Sequence, residues 1–332
     1  MPEYYETIIV GGGPAGSSCA WKLHKQGKQV LILDKQSFPR LKICAGWITS
    51  RAMEKLEFTP EDYPHSILQL HTKTYVAPLP FSFGRWPTRW TDYSIRRIEF
   101  DQWLVQRSQA PVINHHVKQI EKRGERYIID GQYECRYLVG AGGTSCPVSR
   151  IFFPHQRVRK KQIITLEQEF EYPQRDHTAH IFFFNRGLRG YSWYVPKGDG
   201  YVNIGLGGFS SYFKKSGINI HQHFQWFLED LSRRDLLDEQ TAKELKISGH
   251  SYYLYTNQGE VKQDNCFLIG DSAGLASVDL GEGIGPSIES GLLAAGEIIG
   301  DCQYHKKAIS RFSLNPAWQW LIEPWLLKIL EV

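Results

Sequence analysis

No stretch of the sequence reaches the roughly 20 consecutive apolar residues that a membrane-crossing helix needs, so a spanning protein is not expected. Metal-ligand spacing is missing too. Cys19, Cys44, Cys135, Cys146, Cys266 and Cys302 form no CxxC pair and no Cys/His cluster, which argues against a metal site and for reduced thiols. Neither sign of charge is in large excess: 39 Lys and Arg against 35 Asp and Glu leave a formal net charge of +4, too small to point to nucleic acid. The basic groups Arg157-Arg159-Lys160-Lys161 and Lys214-Lys215 are short and read as solvated turns rather than phosphate or lipid patches. No internal repeat stands out, and Met1-Pro2-Glu3 leads into a strand rather than a basic-then-apolar signal segment. A cytoplasmic chain is the resulting expectation.

What is present suffices for a large core. A chain of 332 residues with 42% hydrophobic residues can form one large domain or two interleaved ones. The opening ETIIVGGGPAGSSCAWKLHKQGKQVLILDK reads as strand, glycine turn, helix and second strand, with Ile8 to Val10 and Val30 to Leu33 as the continuous apolar runs of doubly covered strands. A helix is expected at about 49–57, strand-like pieces near 66–83, and an amphipathic helix in IEFDQWLVQRSQA. From about 113 the chain runs as hairpins with turns at Arg123-Gly124 and Asp130-Gly131 before the strand YLVGAGG. Between about 155 and 260, alternating aromatic segments predict an antiparallel sheet, with helices near 217–233 and 234–244. NCFLIGDSAG then returns to a buried strand and glycine loop, so a nucleotide-binding unit is split by an inserted sheet.

Gly11, Gly13 and Gly16 have G-x-G-x-x-G spacing directly after a buried strand and at a helix start. The first glycine permits the turn, the second lets the backbone approach a pyrophosphate, and the third lets helix and sheet press together. Free amides at the helix start then face phosphate. Pro14 and Ala15 belong to the same turn, and Asp34, with Lys35 after it, ends the second strand where ribose hydroxyls are expected.

This fingerprint does not separate a nicotinamide nucleotide from FAD; the remote segments do. With CFLIGDSAG and GEGIGPSIESG added, the sequence resembles the FAD-dependent oxidoreductases of the para-hydroxybenzoate hydroxylase fold, and among them the geranylgeranyl reductase family. The resemblance implies an α/β protein, with a Rossmann-like FAD-binding domain over 1–65, 94–154 and 260–332 and an inserted antiparallel-sheet substrate domain over 66–93 and 155–259. It assigns Gly270 and Asp271 to the ribityl and pyrophosphate part of FAD, and Gly281, Gly283, Ile284 and Gly285 to the pyrimidine side of the ring. A helix N-terminus there suits the negative charge of a reduced flavin. A carboxylate accepts from hydroxyls but repels phosphate, so a ribityl contact is the better role for Asp271.

RRIEFDQWL resembles the superfamily's Arg-x-x-Phe-Asp-x-x-Leu segment and places Arg97 near phosphate, with Arg96 as the competing candidate. LVGAGGTSCPVSR resembles the second nucleotide-contact segment, where the usual aspartate is Gly142; Gly140, Ala141 and Gly142 can then offer backbone contacts only. Val117 is a further expected cofactor contact.

On the reacting side, FPRLKICAGWI resembles the family's Cys-x-Gly-Gly region, realised as Cys44-Ala45-Gly46-Trp47. It puts Cys44, Ala45 and Gly46 near the ring, with Arg40 and Lys42 as phosphate or ring-oxygen contacts or, equally, solvated loop cations. Cys44 as a redox partner of Cys302 is left open. GYSWYVP resembles the family's Tyr-x-Trp-x-Phe-Pro segment, with Val195 in the phenylalanine place. Strand alternation puts Tyr191, Trp193 and Val195 on one face, where they could clamp an apolar substrate or form ordinary sheet core. Tyr191, Trp193 and Cys44 are the candidate catalytic residues, with Cys44 or Tyr191 on the proton side.

The implied activity is reduction of a carbon–carbon double bond in an isoprenoid or other apolar substrate. FAD is the cofactor, and a transient external reductant such as NAD(P)H or ferredoxin supplies electrons, since only one dinucleotide cradle is evident. The same GYSWYVP stretch approaches the Gly-Trp-x-Trp-x-Ile-Pro of flavin halogenases, so a monooxygenase or halogenase is the alternative, and a non-catalytic flavin or lipid binder the third reading. The apolar tail AWQWLIEPWLLKIL, with Trp318, Trp320 and Trp325 around Pro324, either roofs a pocket or makes peripheral contact with a membrane.

Overall fold

A computed structural model of the chain describes residues 1–70, 91–154, 161–173, 176–310 and 313, with the backbone alone over 72–76. The apolar tail from residue 314, the cluster at Arg157, Arg159 and Lys160, and the strand-like stretch beyond residue 76 lie outside the described residues.

The first half runs β1 (Glu3–Val10), α1 (Pro14–Lys25), β2 (Val30–Asp34), β3 (Trp47–Thr49), α2 (Ser50–Lys55), β4 (Ile67–Gln69), β5 (Thr72–Val76), β6 (Asp92–Ile95), α3 (Arg97–Ser108), β7 (Val112–Asn114), β8 (Ile120–Arg123), β9 (Arg126–Ile129), β10 (Tyr133–Gly140) and α4 (Pro147–Phe152). The second half runs β11 (Gln162–Glu171), β12 (Thr178–Phe183), β13 (Gly190–Pro196), β14 (Tyr201–Phe209), α5 (Ser210–Ser216), α6 (Ile220–Arg233), α7 (Glu239–Glu244), β15 (Ser248–Tyr253), β16 (Lys262–Gln263), β17 (Cys266–Leu268) and α8 (Ile284–Ile299).

The Rossmann-like sheet has the order β16-β17-β10-β1-β2-β7, and β17, β10, β1, β2 and β7 are mutually parallel. Every residue of β2 is buried, as expected where both faces of a parallel sheet are covered. Helices α1 and α8 pack closely because Gly291 lies against α1: a Cβ there would fall 2.3 Å from the Ala15 carbonyl oxygen. Gly16 instead lets α1 close on the turn and β1, since its Cβ would meet the Gly11 oxygen at 1.9 Å and Ile9 Cγ2 at 3.1 Å.

The second sheet has the order β15-β11-β14-β13-β12-β5, antiparallel except for the parallel β12–β5 edge. Alternation along its strands separates two faces. Leu166, Tyr194, Val202, Ile204 and Leu206 pack with Phe224, Phe227, Leu228 and Leu231 of α6. The opposite face carries Thr165, Glu167, Tyr191, Trp193 and Val195 and borders a cavity.

The structure departs from the expectations in detail. Residues 66–93, expected with the substrate sheet, divide between two sheets: β4 joins β3 and β6 in a separate three-stranded sheet, and β5 joins the six-stranded one. The helix expected over 217–233 is preceded by α5, because Gly217 adopts a left-handed conformation that ends α5 and the Asn219 side chain accepts from the His221 amide to start α6. The next helix begins at Glu239 rather than 234, capped by Asp238, whose side chain accepts from Thr241 N at 2.8 Å.

Candidate functional site

One cavity of about 650 Å³ runs between the two large sheets. At one end it is lined by Gly11, Gly13, Pro14 and Ala15, with Asp34, Lys35, Val117, Ala141 and Gly142. Arg40 lines it beside Gly13 and Asp34, and Lys42, Cys44, Ala45 and Arg97 also line it, with Asp271, Gly281, Gly283 and Ile284. Tyr191, Trp193 and Val195 form part of the wall toward the six-stranded sheet. Gly16, Gly46, Gly270 and Gly285, expected as cofactor contacts, are not on the lining. Gly46 has φ +70° and a Cβ there would strike the Ile95 oxygen at 2.0 Å, so it is fixed by the turn. Gly270 sits against Ala15 and Ser287, and the Gly285 amide is taken up by Glu282 Oε1 at 2.5 Å.

The glycine turn is shaped for close approach. Gly11 has φ +110° and its Cβ would lie 2.5 Å from the Ala141 oxygen, whereas the nearest atom to a Cβ on Gly13 is an Arg40 nitrogen at 3.4 Å. Gly13 therefore presents open backbone at the start of α1. Asp34 is held from two sides, accepting from Gly12 N at 2.8 Å and Gln36 N at 3.0 Å. Arg97 and Asp101 form a buried two-point ion pair at 2.7 and 2.9 Å, and Arg40 adds a third contact to Asp101 at 3.3 Å. Arg96 points elsewhere, to Glu169 and Glu99 and over the Tyr201 ring. Arg97 is thus the arginine of the pair that reaches the cavity.

Arg40 gives the clearest sign of an absent anion. Its Nε is buried without a hydrogen-bond partner, 3.7 Å from Asp34 Oδ2 and beside the open Gly13 backbone. A buried guanidinium donor left unpaired is costly. A pyrophosphate oxygen at the helix start would satisfy it, so these residues fit a dinucleotide.

The reacting end is crowded with ionisable groups. Lys42 Nζ lies 2.8 Å from His250 Nε2. Burial lowers the Lys42 ammonium from its usual range, and burial together with Lys42 lowers His250, favouring the neutral imidazole as acceptor. Burial raises the Tyr252 hydroxyl well above its ordinary value and pushes Glu167 up to about 7, although Lys197 and a hydrogen bond from Asn203 oppose the second shift. Cys44 Sγ accepts from Gly46 N at 3.4 Å and also hydrogen-bonds with Arg97. All six cysteines are free thiols, and Cys302 lies against Leu293 and Gly296 at the far end of α8. The Tyr191 hydroxyl donates to the Leu280 carbonyl, so its proton is directed at backbone.

Trp193 is fixed by register. Across the sheet, Glu167, Gly205 and Trp193 are neighbours on β11, β14 and β13, and Trp193 Nε1 donates to Asn203 Oδ1 at 2.6 Å. Glu167, Thr165, His250 and Tyr252 line the cavity and were not anticipated. The available signal was the alternation in QIITLEQEFEY, which sets Thr165 and Glu167 on one face of a strand otherwise rich in apolar residues.

Residues 9–75 match the NAD(P)-binding Rossmann-like domain family. An uncharacterized protein of Methanosarcina barkeri is 30% identical over 88% of this chain and 73% of its own length. Digeranylgeranylglycerophospholipid reductase 3 of Methanosphaera stadtmanae is 24% identical over 93% of this chain and 81% of its own length. The chain belongs to the geranylgeranyl reductase family of FAD-dependent oxidoreductases. A geranylgeranyl bacteriochlorophyll reductase-like structure from Thermoplasma acidophilum shares the family fold, with TM-score 0.75, 17% identity, and coverage of 100% of this chain and 87% of that one. As a member of the geranylgeranyl reductase family the protein is an enzyme that uses FAD, on the para-hydroxybenzoate hydroxylase type of fold. Among the described residues no helix is long and apolar enough to cross a membrane.

Proposed function

We propose that the protein is a reductase that saturates carbon–carbon double bonds in a polyisoprenoid lipid. The observation that carries this reading is the single cavity joining the Gly13 turn and the Asp271 loop to the Trp193 strand. Bound FAD supplies the two-electron carrier, recharged by a transient donor such as NAD(P)H or ferredoxin.

The chain's own groups divide the work. Gly13 and the start of α1 would receive the pyrophosphate, with the Arg40 guanidinium, whose Nε has no hydrogen-bond partner, offsetting its charge. Asp34 takes ribose hydroxyls through lone pairs not used by Gly12 and Gln36, and Asp271 takes the ribityl chain. The amides of Gly283 and Ile284, opening α8, would stabilise negative charge on the ring. Tyr191, Trp193 and Val195 hold an apolar chain and exclude water above it. The lipid class agrees with the named activity of the Methanosphaera relative, and a cytoplasmic enzyme meeting such a lipid works at a membrane surface.

The test is anaerobic. Protein purified with oxidised-flavin absorbance and reduced with dithionite should regain that absorbance on adding a digeranylgeranyl lipid, with a product heavier by two hydrogens per double bond. Oxygen-dependent hydroxylation or halogenation without saturation would reject the reading.

A further inference from the structure

We propose that Glu167 is the carboxylic acid that delivers the proton to the substrate carbon in this cavity, a role that rests on the reductase reading above. Glu167 is 4% exposed, lines the cavity, and has an Oε2 with no hydrogen-bond partner. Asn203 hydrogen-bonds to the carboxyl and accepts the Trp193 indole N–H at 2.6 Å, so one amide holds acid and aromatic wall together. Gly205 makes this possible. A Cβ there would lie 2.4 Å from Trp193 Cζ2 and 2.6 Å from Glu167 Cβ, so the two side chains converge over the glycine.

The cations around Glu167 are engaged elsewhere. Lys197 Nζ binds Glu169 and the Cys44 oxygen, Lys42 meets His250, and Arg97 pairs with Asp101. Tyr191, Tyr252, His250, Cys44, Asp271 and Glu169 are further ionisable groups on this side. A buried carboxylate with a single amide donor is poorly solvated, so burial favours the neutral acid, whose O–H is held on a residue of the cavity wall. Burial accordingly moves its protonation to about 7, close to the working range of a general acid.

The step balances. The substrate π bond breaks; one carbon takes a hydride from the reduced flavin, which is oxidised, and the other takes the Glu167 proton, leaving the O–H electron pair on the carboxylate. Water at the cavity mouth restores the acid proton.

The experiment compares wild type, Glu167→Gln and Glu167→Asp as FAD-loaded proteins. Infrared difference spectra below neutral pH should show carbonyl stretches of buried protonated carboxyls, shifted in deuterated water; Glu167→Gln should remove one of them and leave the band of Glu282. In anaerobic single turnover with a digeranylgeranyl lipid, Glu167→Gln should keep its FAD and its reduction by dithionite, yet saturate the lipid about 100-fold more slowly or worse. Glu167→Asp should recover part of the rate. A Gln variant as fast as wild type, or one whose spectrum has lost no buried carboxyl band relative to wild type, overturns the proposal. A wild type that carries FAD and saturates no polyisoprenoid rejects the reductase reading, and the donor step with it. An active wild type beside an equally active Gln variant rejects Glu167 alone.

Discussion

A single methyl group added at Gly205 should damage the enzyme more than its size suggests. In Gly205→Ala the new Cβ would sit 2.4 Å from Trp193 Cζ2, 2.6 Å from Cε2 and 2.6 Å from Glu167 Cβ, against a comfortable carbon separation of about 3.5–4.0 Å. The indole must therefore shift by about 1 Å. That displacement strains the 2.6 Å bond from Trp193 Nε1 to Asn203, worth about 0.5–1.5 kcal/mol, on top of about 1–3 kcal/mol for overpacking. The expected loss of stability is roughly 2–4 kcal/mol. Gly205 is not among the glycines with positive φ, so the effect is steric rather than conformational. Gly249→Ala in β15 is the matched control: its Cβ would meet Leu166 Cδ2 at an ordinary 3.6 Å, and its change should stay within about 0.5 kcal/mol. Urea unfolding of both variants provides the comparison, with lipid saturation as the second readout. If Gly205→Ala unfolds with wild-type stability and turns over normally, the register-based account of Trp193 and Glu167 is refuted.

Replacing Gly13 with Val should leave the circular dichroism of the fold intact while abolishing FAD content, because the added atoms enter open space beside Arg40 rather than packed backbone; stoichiometric FAD in that variant would remove the cradle assignment. Arg97→Gln should cost about 3–5 kcal/mol in urea unfolding, since it strips the two-point partner from buried Asp101, and adding Asp101→Asn should recover most of it. Glu282 accepts from the Gly285 amide in a buried setting that raises it to about 7, above its ordinary 4.5. Its folded form holds a proton that the unfolded chain has released, so cofactor-free protein should lose stability as pH rises from about 4.5 to 7, by roughly 3 kcal/mol for this group. Glu282→Gln should flatten that slope in unfolding curves measured at the two ends of the window.

Local signals made half of this site readable in advance. The glycine turn could be recognised because Ile8 to Val10 form a continuous apolar run before it and α1 starts directly after, a context set by neighbours in sequence. Tyr191, Trp193 and Val195 are singled out by the resemblance of GYSWYVP to a family segment and set on one face by alternation, and all three line the cavity. What escaped depends on pairing between distant strands. Nothing local places Glu167 beside Trp193; the juxtaposition needs the registers of β11 on β14 and of β14 on β13, and a glycine at their crossing. The choice between Arg96 and Arg97 likewise waits on the helical phase of α3, which turns Arg97 toward Asp101 and Arg96 toward Glu169. Strands as short as β3, β4 and β6 carry too few residues to show a period, which hid the three-stranded sheet and blurred the boundary near residue 66.

The central claim is that one FAD spans this cavity, with its pyrophosphate at Gly13 and its ring between the start of α8 and the Trp193 strand. A crystal structure of the FAD-loaded protein tests it most directly. The account predicts phosphate oxygens on the Gly13 turn and Arg40 Nε, and the ring edge facing Trp193 and Glu167. An FAD bound elsewhere, or a ring turned away from that wall, would contradict it.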